Sequence, residues 1–388
     1  MVDIRPRPSN EFPYDEFVQR EGIPLVRAEV GIADVTQLPR ADWARTGGKG
    51  TYVQLTGTFE SERGIYVGEI PGGGKLDRER HLYEEQVFVL RGRGSAEVWQ
   101  GSKNGEKLSF EWGEGSIFAF PRNTWHRLYN GSREPAVFMG VTTAPRLMNA
   151  LGDFDVVFNC EYDVPGLHGK AGGEDYFHEP DARSVEGWYD QSIWHTNFIA
   201  NVYTARVDPL ERKIPGGLLT GYRMGRIFPH GHISEWPAGR YHKAHYHGPG
   251  AILLGLDGEG YVLAWPSALG PHPYQDGHAD QVIQVNWGRH SIYSPPNAWF
   301  HQHFNSGAGP ARHVAVYGAM LPLGVHGMEE EAGWKGFKSI REGGMLIEHE
   351  DEDPQIRADF EQGLAAKGIQ SQMPRAVQAV QQRGTALL

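Results

Sequence analysis

Three histidines in two short stretches have the residue type and spacing of metal ligands. Residues 239–250 read Gly-Arg-Tyr-His-Lys-Ala-His-Tyr-His-Gly-Pro-Gly, which sets His245 and His247 two positions apart. Side chains at i and i+2 of a strand project to the same face, so both imidazoles can converge on one point. Residues 296–305 supply a third, His301. Three neutral imidazoles suit a first-row transition metal and leave coordination positions open. An isolated histidine more often sits in a polar loop; here the spacing and the flanks of all three agree.

The elements that must position these residues are written twice in the chain. Leu90, Gly92, Gly94 and Trp99 recur as Leu256, Gly258, Gly260 and Trp265, and His81 recurs as His247, all at one offset (256 − 90 = 166). Ser116, Ile117, Pro121, His126 and Asn130 recur as Ser291, Ile292, Pro296, His301 and Asn305 at a larger offset (301 − 126 = 175). The difference places an insertion near residues 266–281, a long loop. Identities that keep register over whole segments mark an internal duplication.

Around the repeats the chain divides into an N-terminal arm (1–50), a first strand-rich region (51–150), a linker (151–215), a second strand-rich region (216–325) and a helical tail (326–388). In the arm, residues 14–22 read as one short helix stopped by Gly22. A polar hairpin tip is expected at 103–107 with Asn104-Gly105 as its turn. In the tail, Ile356, Phe360 and Leu364 keep helical spacing behind Asp353 as N-cap and Pro354 at the first helical position. Residues from 370 onward are polar and read as disordered.

Composition narrows the function classes. The chain has 388 residues and a net charge of −11, which argues against nucleic acid or an anionic membrane surface as a partner. Cys160 is the only cysteine, so no intrachain disulfide forms. The N-terminus lacks an apolar targeting core and no run is long enough to span a bilayer, so a cytoplasmic protein is expected. The 51 glycines and 25 prolines favour short strands joined by turns. A homodimer or larger homo-oligomer is expected, since sheet edges and faces need covering.

The pattern His-x-His-x3-Glu-x6-Gly followed by Gly-x5-Pro-x4-His-x3-Asn resembles the two-part motif of the cupin family, and the duplicated chain resembles a bicupin. Glu85, Gly92, Gly115, Pro121, His126 and Asn130 carry the likeness in the first copy, and His245, His247, His301 and Asn305 in the second. The resemblance implies an all-β fold of two jelly-roll barrels, here with short terminal helices, and a metal inside the barrel. The usual cupin set of three His and one Glu is complete in neither copy. The second offers His245, His247 and His301, with Ala251 where the glutamate would stand. The first offers His81, Glu85 and His126, a possible second metal site, with Glu79 where the first histidine would stand, either a fourth, anionic ligand or a solvated glutamate on an edge. The three-His set resembles iron-dependent cupin dioxygenases, so the leading expectation is an Fe(II) dioxygenase, an oxidoreductase, acting on a small phenolic or carboxylated substrate. Mn, Ni and Zn fit the same donors. The alternatives are a non-oxidative metal-dependent lyase, isomerase or decarboxylase, or a non-catalytic bicupin binding protein. His242 and His303 flank the second site and read as surface residues or as supports for the ligands.

Overall fold

The computed structural model describes residues 12–101, 107–162, 193–209, 214, 216–224, 230–247, 251–316 and 338–373. The expected hairpin tip at Asn104-Gly105, most of the expected linker, the first eleven residues and the polar end of the tail lie outside the described residues. The chain forms two compact units. One is built mainly from residues 35–206 with 1–29 and 221–231. The other is built mainly from residues 232–388 with 30–34 and 207–220.

The first unit holds an eight-stranded sheet. Its main path runs Leu25–Ala28, Gly48–Leu55, Gly64–Ile70, Ala136–Thr142, Glu85–Arg91, Ile117–Phe120 and Phe198–Ile199, with Ala41–Trp43 also paired to Gly48–Leu55. Leu25–Ala28 joins in parallel and its neighbours are antiparallel, so the sheet is mixed. A separate three-stranded antiparallel sheet runs Trp125–Asn130, Arg93–Trp99, Lys107–Gly113. Both sheets bury side chains in one core that includes Val87, Phe118 and Phe138 from the larger, and Ala96, Trp112 and Leu128 from the smaller.

The second unit repeats this plan. Its larger sheet includes, in order, His230–Trp236, Ala311–Val316, Ile252–Asp257, Ile292–Tyr293 and Gly31–Ile32. Its smaller sheet runs Ile283–Trp287, Gly260–Pro266, Trp299–Asn305. Trp236, Leu253 and Tyr293 pack with Val262, Ala264 and Trp287 between the two.

Two jelly-roll barrels were expected, and the structure corrects this. Among the described residues each sheet is open, with two free ends in its strand order, and neither larger sheet curls round to join its smaller partner. Closure requires hydrogen bonds between strands that are distant in sequence, and the motif spacing specifies only the hairpins and turns. The helices are also not confined to the ends. Pro13–Arg20 and Pro354–Ala366 lie near them, but Thr56–Glu60, Ala144–Leu151 and Phe154–Asn159 are internal.

The duplication seen in the sequence reaches individual hydrogen bonds. Gly94 pairs with Asn130 and Gly260 with Asn305. A Cβ on either glycine would sit 1.8 Å from the carbonyl oxygen of Tyr129 or Phe304, so only glycine lets these strands approach. Asn130 Nδ2 donates to the carbonyls of Ile70, Pro71 and Glu134 at 3.1, 3.1 and 2.8 Å. Asn305 Nδ2 donates to those of Trp236, Pro237 and Gly309 at 3.1, 3.1 and 3.0 Å. Each asparagine therefore ties the end of its ligand-bearing strand to two other segments of its unit.

The tail helix Pro354–Ala366 buries Ile356, Phe360 and Leu364 in the second unit. Phe360 packs against Tyr241 and Phe304 at ring distances of 5.0 and 5.5 Å. The buried Asp353 carboxylate caps the helix at Gln355 N and also accepts from the amides of Tyr274 and Gln275 at 2.8 and 2.9 Å.

Candidate metal centres

His301 lies in the strand Trp299–Asn305, and its backbone exchanges two hydrogen bonds with His245, at 3.1 and 2.9 Å. His245 and His247 do not share a regular strand; their segment meets the sheet at isolated bridges. The i, i+2 geometry still brings the rings together. Ring centroids of His245 and His247 stand 4.4 and 4.7 Å from that of His301. One ring nitrogen from each of the three lies within 4.8 Å of the others. Two ligands about 2.1 Å from one ion are at most about 4.2 Å apart, so side-chain adjustments of under an ångström suffice. His245 Nδ1 is 3.1 Å from the carbonyl of Lys243, and His301 Nδ1 is 3.2 Å from that of Trp299. A carbonyl only accepts, so Nδ1 carries the proton and the Nε2 lone pair is left for a cation. His245 and His301 are buried while His247 is half-buried, which leaves this cluster partly open. Ala251, buried, offers no ligand atom. Lys243 pairs with Glu348 at 2.5 Å.

In the first unit His81, Glu85 and His126 form the equivalent group, all buried, with ligand atoms also within 4.8 Å of one another. The same anchoring recurs: His81 Nδ1 is 2.9 Å from the carbonyl of Tyr83, and His126 Nδ1 is 3.1 Å from that of Thr124. The Nε2 atoms of both rings are buried and have no hydrogen-bond partner. Glu85 Oε2 is 3.3 Å from His81 Nε2 and 3.8 Å from His126 Nε2 without the alignment of a hydrogen bond. Two orphaned inward nitrogens beside a carboxylate fit a divalent cation.

Glu79 occupies the place of His245, bridged to His126 as His245 is to His301. Its Oε1 is 3.8 Å from His126 Nε2, and its Oε2 is bound by Arg45. Arg45 is also held by Glu21 at 2.7 Å. Tyr66 OH donates to Glu85 Oε1. Glu79 is thus an ion-paired interior residue, not a solvated one.

Burial works against every charge in this cluster, yet the neighbours prevail. Burial would raise Glu79, but Arg45 and then His126 hold it well below the usual carboxylate range. Burial would raise Glu85, but the His81 ring outweighs that and lowers it. Burial would lower His126, but Glu79 and Glu85 raise it. Both carboxylates are therefore ionised, and a bound cation would compete with the proton on His126. The cavity beside the cluster, lined by residues such as Trp43, Tyr66, Phe120 and Phe138, has a volume of about 10 Å³. That is room for roughly one water or one ion and for no organic substrate.

His303 and His242 are both buried in the second unit. The His303 ring stands 5.4 Å from His301, and its Nδ1 is 3.2 Å from Tyr293 OH. The sequence reading missed His313. It is fully buried, stacked on Trp236 at 4.4 Å and edge-on to Trp287 at 4.4 Å. Burial lowers its pKa from 6.5 to about 3, with a smaller contribution from His232, so the ring is neutral. The available signal was the repeat itself, which sets His313 against Phe138 (313 − 138 = 175).

Residues 66–142 match the family described as the cupin domain. This stretch resembles a cupin domain. It spans the His81, Glu85 and His126 cluster, and together with the second, equivalent cluster it supports cupin architecture in two copies without singling out one reaction. No match was found among curated proteins. Among solved structures, a deletion mutant of Bacillus subtilis oxalate decarboxylase is 13% identical, with 75% of this chain and 77% of that one covered and a TM-score of 0.46. A formate complex of Lactobacillus farciminis oxalate decarboxylase is 14% identical, with 76% and 87% covered and a TM-score of 0.47. The likeness is distant. A dioxygenase, an oxidoreductase, was expected; the structures found are named as decarboxylases instead, and that expectation is not carried further. A neutral three-imidazole set serves Lewis-acid chemistry as readily as oxygen chemistry, so donor type alone had not decided between them. The two clusters support a bound divalent transition metal and leave its identity open among Fe, Mn, Ni and Zn. Among the described residues no helix is long and apolar enough to cross a membrane.

Proposed function

We propose that this chain is a metal-dependent lyase, isomerase or decarboxylase acting on a small carboxylated compound, with its working centre at His245, His247 and His301. The observation that carries this reading is the contrast between the two clusters. Both present anchored imidazoles, but only the second is partly open and, among the described residues, has no fourth donor, so there a substrate oxygen can approach the ion. A divalent ion held there supplies Lewis acidity to a chelated carboxylate or carbonyl oxygen. The carbonyls of Lys243 and Trp299 fix the rings of His245 and His301. Tyr293 and His303, joined at 3.2 Å, place an exchangeable proton beside the ligand rings, which is what carbon–carbon cleavage or isomerisation needs from the protein. The first cluster, closed and rich in carboxylate, holds a second ion without turnover.

The test is metal analysis and turnover without oxygen. His301→Ala is expected to lose one metal equivalent together with activity. His126→Ala is expected to lose the other equivalent and keep most activity, measured as anaerobic carbon dioxide release or rearrangement across a panel of small hydroxy- and oxo-acids. Turnover that requires O2 would refute the non-oxidative reading. Activity abolished in His126→Ala but intact in His301→Ala would place the working centre in the other unit.

A further inference from the structure

The two units can be compared position by position at their buried faces, because their pairings are the same. Phe138 pairs with Val89 in the first unit, and His313 with Gly255 in the second. Leu128 pairs with Ala96, and His303 with Val262. Phe118 pairs with Val87, and Tyr293 with Leu253. The amide of Leu76 donates to Leu128, and that of His242 to His303, both at 2.9 Å. In the first unit these four positions, Leu76, Phe118, Leu128 and Phe138, belong to one apolar core. In the second unit the same four are His242, Tyr293, His303 and His313.

Replacing four core hydrocarbons with three imidazoles and a phenol costs stability unless the polar atoms find partners. For His313 the described residues supply none: it is 0% exposed and neither ring nitrogen has a hydrogen-bond partner among them. Ser234, which stands where the first unit has Gly68 (234 − 68 = 166), is also buried with an unpartnered hydroxyl. The ligand atoms of His242, His303 and His313 do not form a metal-sized group like the two clusters above. No carboxylate stands at these four positions, and they lie beside a centre that gains positive charge when loaded. Such a lining suits an oxyanion.

We propose that this buried face of the second unit is a substrate subsite, in which His303, His313, His242 and Tyr293 receive the carboxylate of the small molecule whose other oxygen reaches the three-histidine centre. This rests on the reading that His245, His247 and His301 hold a metal. These four side chains determine specificity, and the first unit, with hydrocarbons at the same places, has no such subsite.

The test uses malonate as the probe, titrated calorimetrically into the full-length protein with its metal content measured in parallel. His313→Phe and His303→Leu install the residues that the first unit already carries at these positions. Each is expected to retain metal and to weaken malonate binding at least tenfold. Malonate affinity within twofold of the unsubstituted protein in both variants, with metal retained, overturns the proposal. So does the absence of saturable malonate binding to the unsubstituted protein. If one variant fails to fold, by circular dichroism, the other decides. His301→Ala separates the two readings. Unchanged metal content there refutes the metal centre, whereas the malonate difference in His313→Phe or His303→Leu is scored independently of it.

Discussion

His313→Phe should flatten the acid side of the stability curve. The His313 pKa is lowered from 6.5 to about 3 in the folded protein, chiefly because burial penalises the charged ring. Its fully buried position offers that charge no water and no hydrogen-bond partner. The unfolded chain therefore binds a proton below pH 6.5 that the folded protein refuses down to about pH 3. In that window the unfolded state holds more protons, so stability falls as pH falls, and the contribution is fully present only above pH 6.5. Each pH unit is worth about 1.4 kcal/mol, so by pH 5 the loss from this residue alone is about 2 kcal/mol. For a unit of this size that corresponds to a Tm decrease of roughly 4–8 °C.

The measurement is a series of thermal or urea melts of both proteins between pH 7.5 and 5, at fixed metal concentration. Protonation of other groups affects both proteins alike and cancels in the difference. A phenyl ring between Trp236 and Trp287 can cost or add about 1–3 kcal/mol through packing, but that offset does not vary with pH. The readout is therefore the slope and not the level. A difference that stays flat from pH 7.5 to 5 would refute the argument, because it would mean that the ring is solvated or partnered in the folded protein.

Three further substitutions test how the centres are held. Arg45→Ala leaves Glu79 and Glu21 without their shared cation and should cost about 2–4 kcal/mol, less than a fully buried pair because Arg45 is 22% exposed, with added divalent metal restoring part of the loss in a thermal melt. Asn305→Ala removes the donor to three carbonyls and should cost about 2–3 kcal/mol by urea denaturation, with a matching loss for Asn130→Ala in the other unit. Asp353→Ala withdraws the acceptor from three backbone amides and should cost about 2–4 kcal/mol, with loosened amide exchange protection in Pro354–Ala366.

Some of this was legible in the residues because it depends on local spacing. His245 and His247 converge through the i, i+2 rule even though their segment is not a regular strand. Asp353, Pro354 and the Ile356, Phe360, Leu364 stripe specified a helix, and one formed over Pro354–Ala366. Sheet closure was not legible. It is decided by pairings such as Phe198–Ile199 on Ile117–Phe120, about eighty residues apart, which no local pattern encodes. The role of Glu79 was also hidden, because its partner Arg45 comes from the arm and nothing near either residue announces the other.

His313 is the instructive miss. In the strand Ala311–Val316 a histidine followed by Val314, Ala315 and Val316 reads as a tolerated core residue when that copy is taken alone. A duplicated chain contains its own control. The fold demands only what both copies share: the close-approach glycines Gly94 and Gly260, the ties from Asn130 and Asn305, and the ring anchors on His126 and His301. Where the copies diverge at a buried position, the fold has shown that it accepts hydrocarbon, so an imidazole there needs another reason. Glu85 against Ala251 and Leu128 against His303 diverge in opposite directions. The first unit keeps a carboxylate in its ligand cluster and hydrocarbon beside it, and the second has no carboxylate at that place and a polar neighbouring face. In the reading proposed above, one oxygen of the small molecule takes the ligand position that Ala251 leaves and its carboxylate meets the new donors, so a single bound molecule would account for both changes.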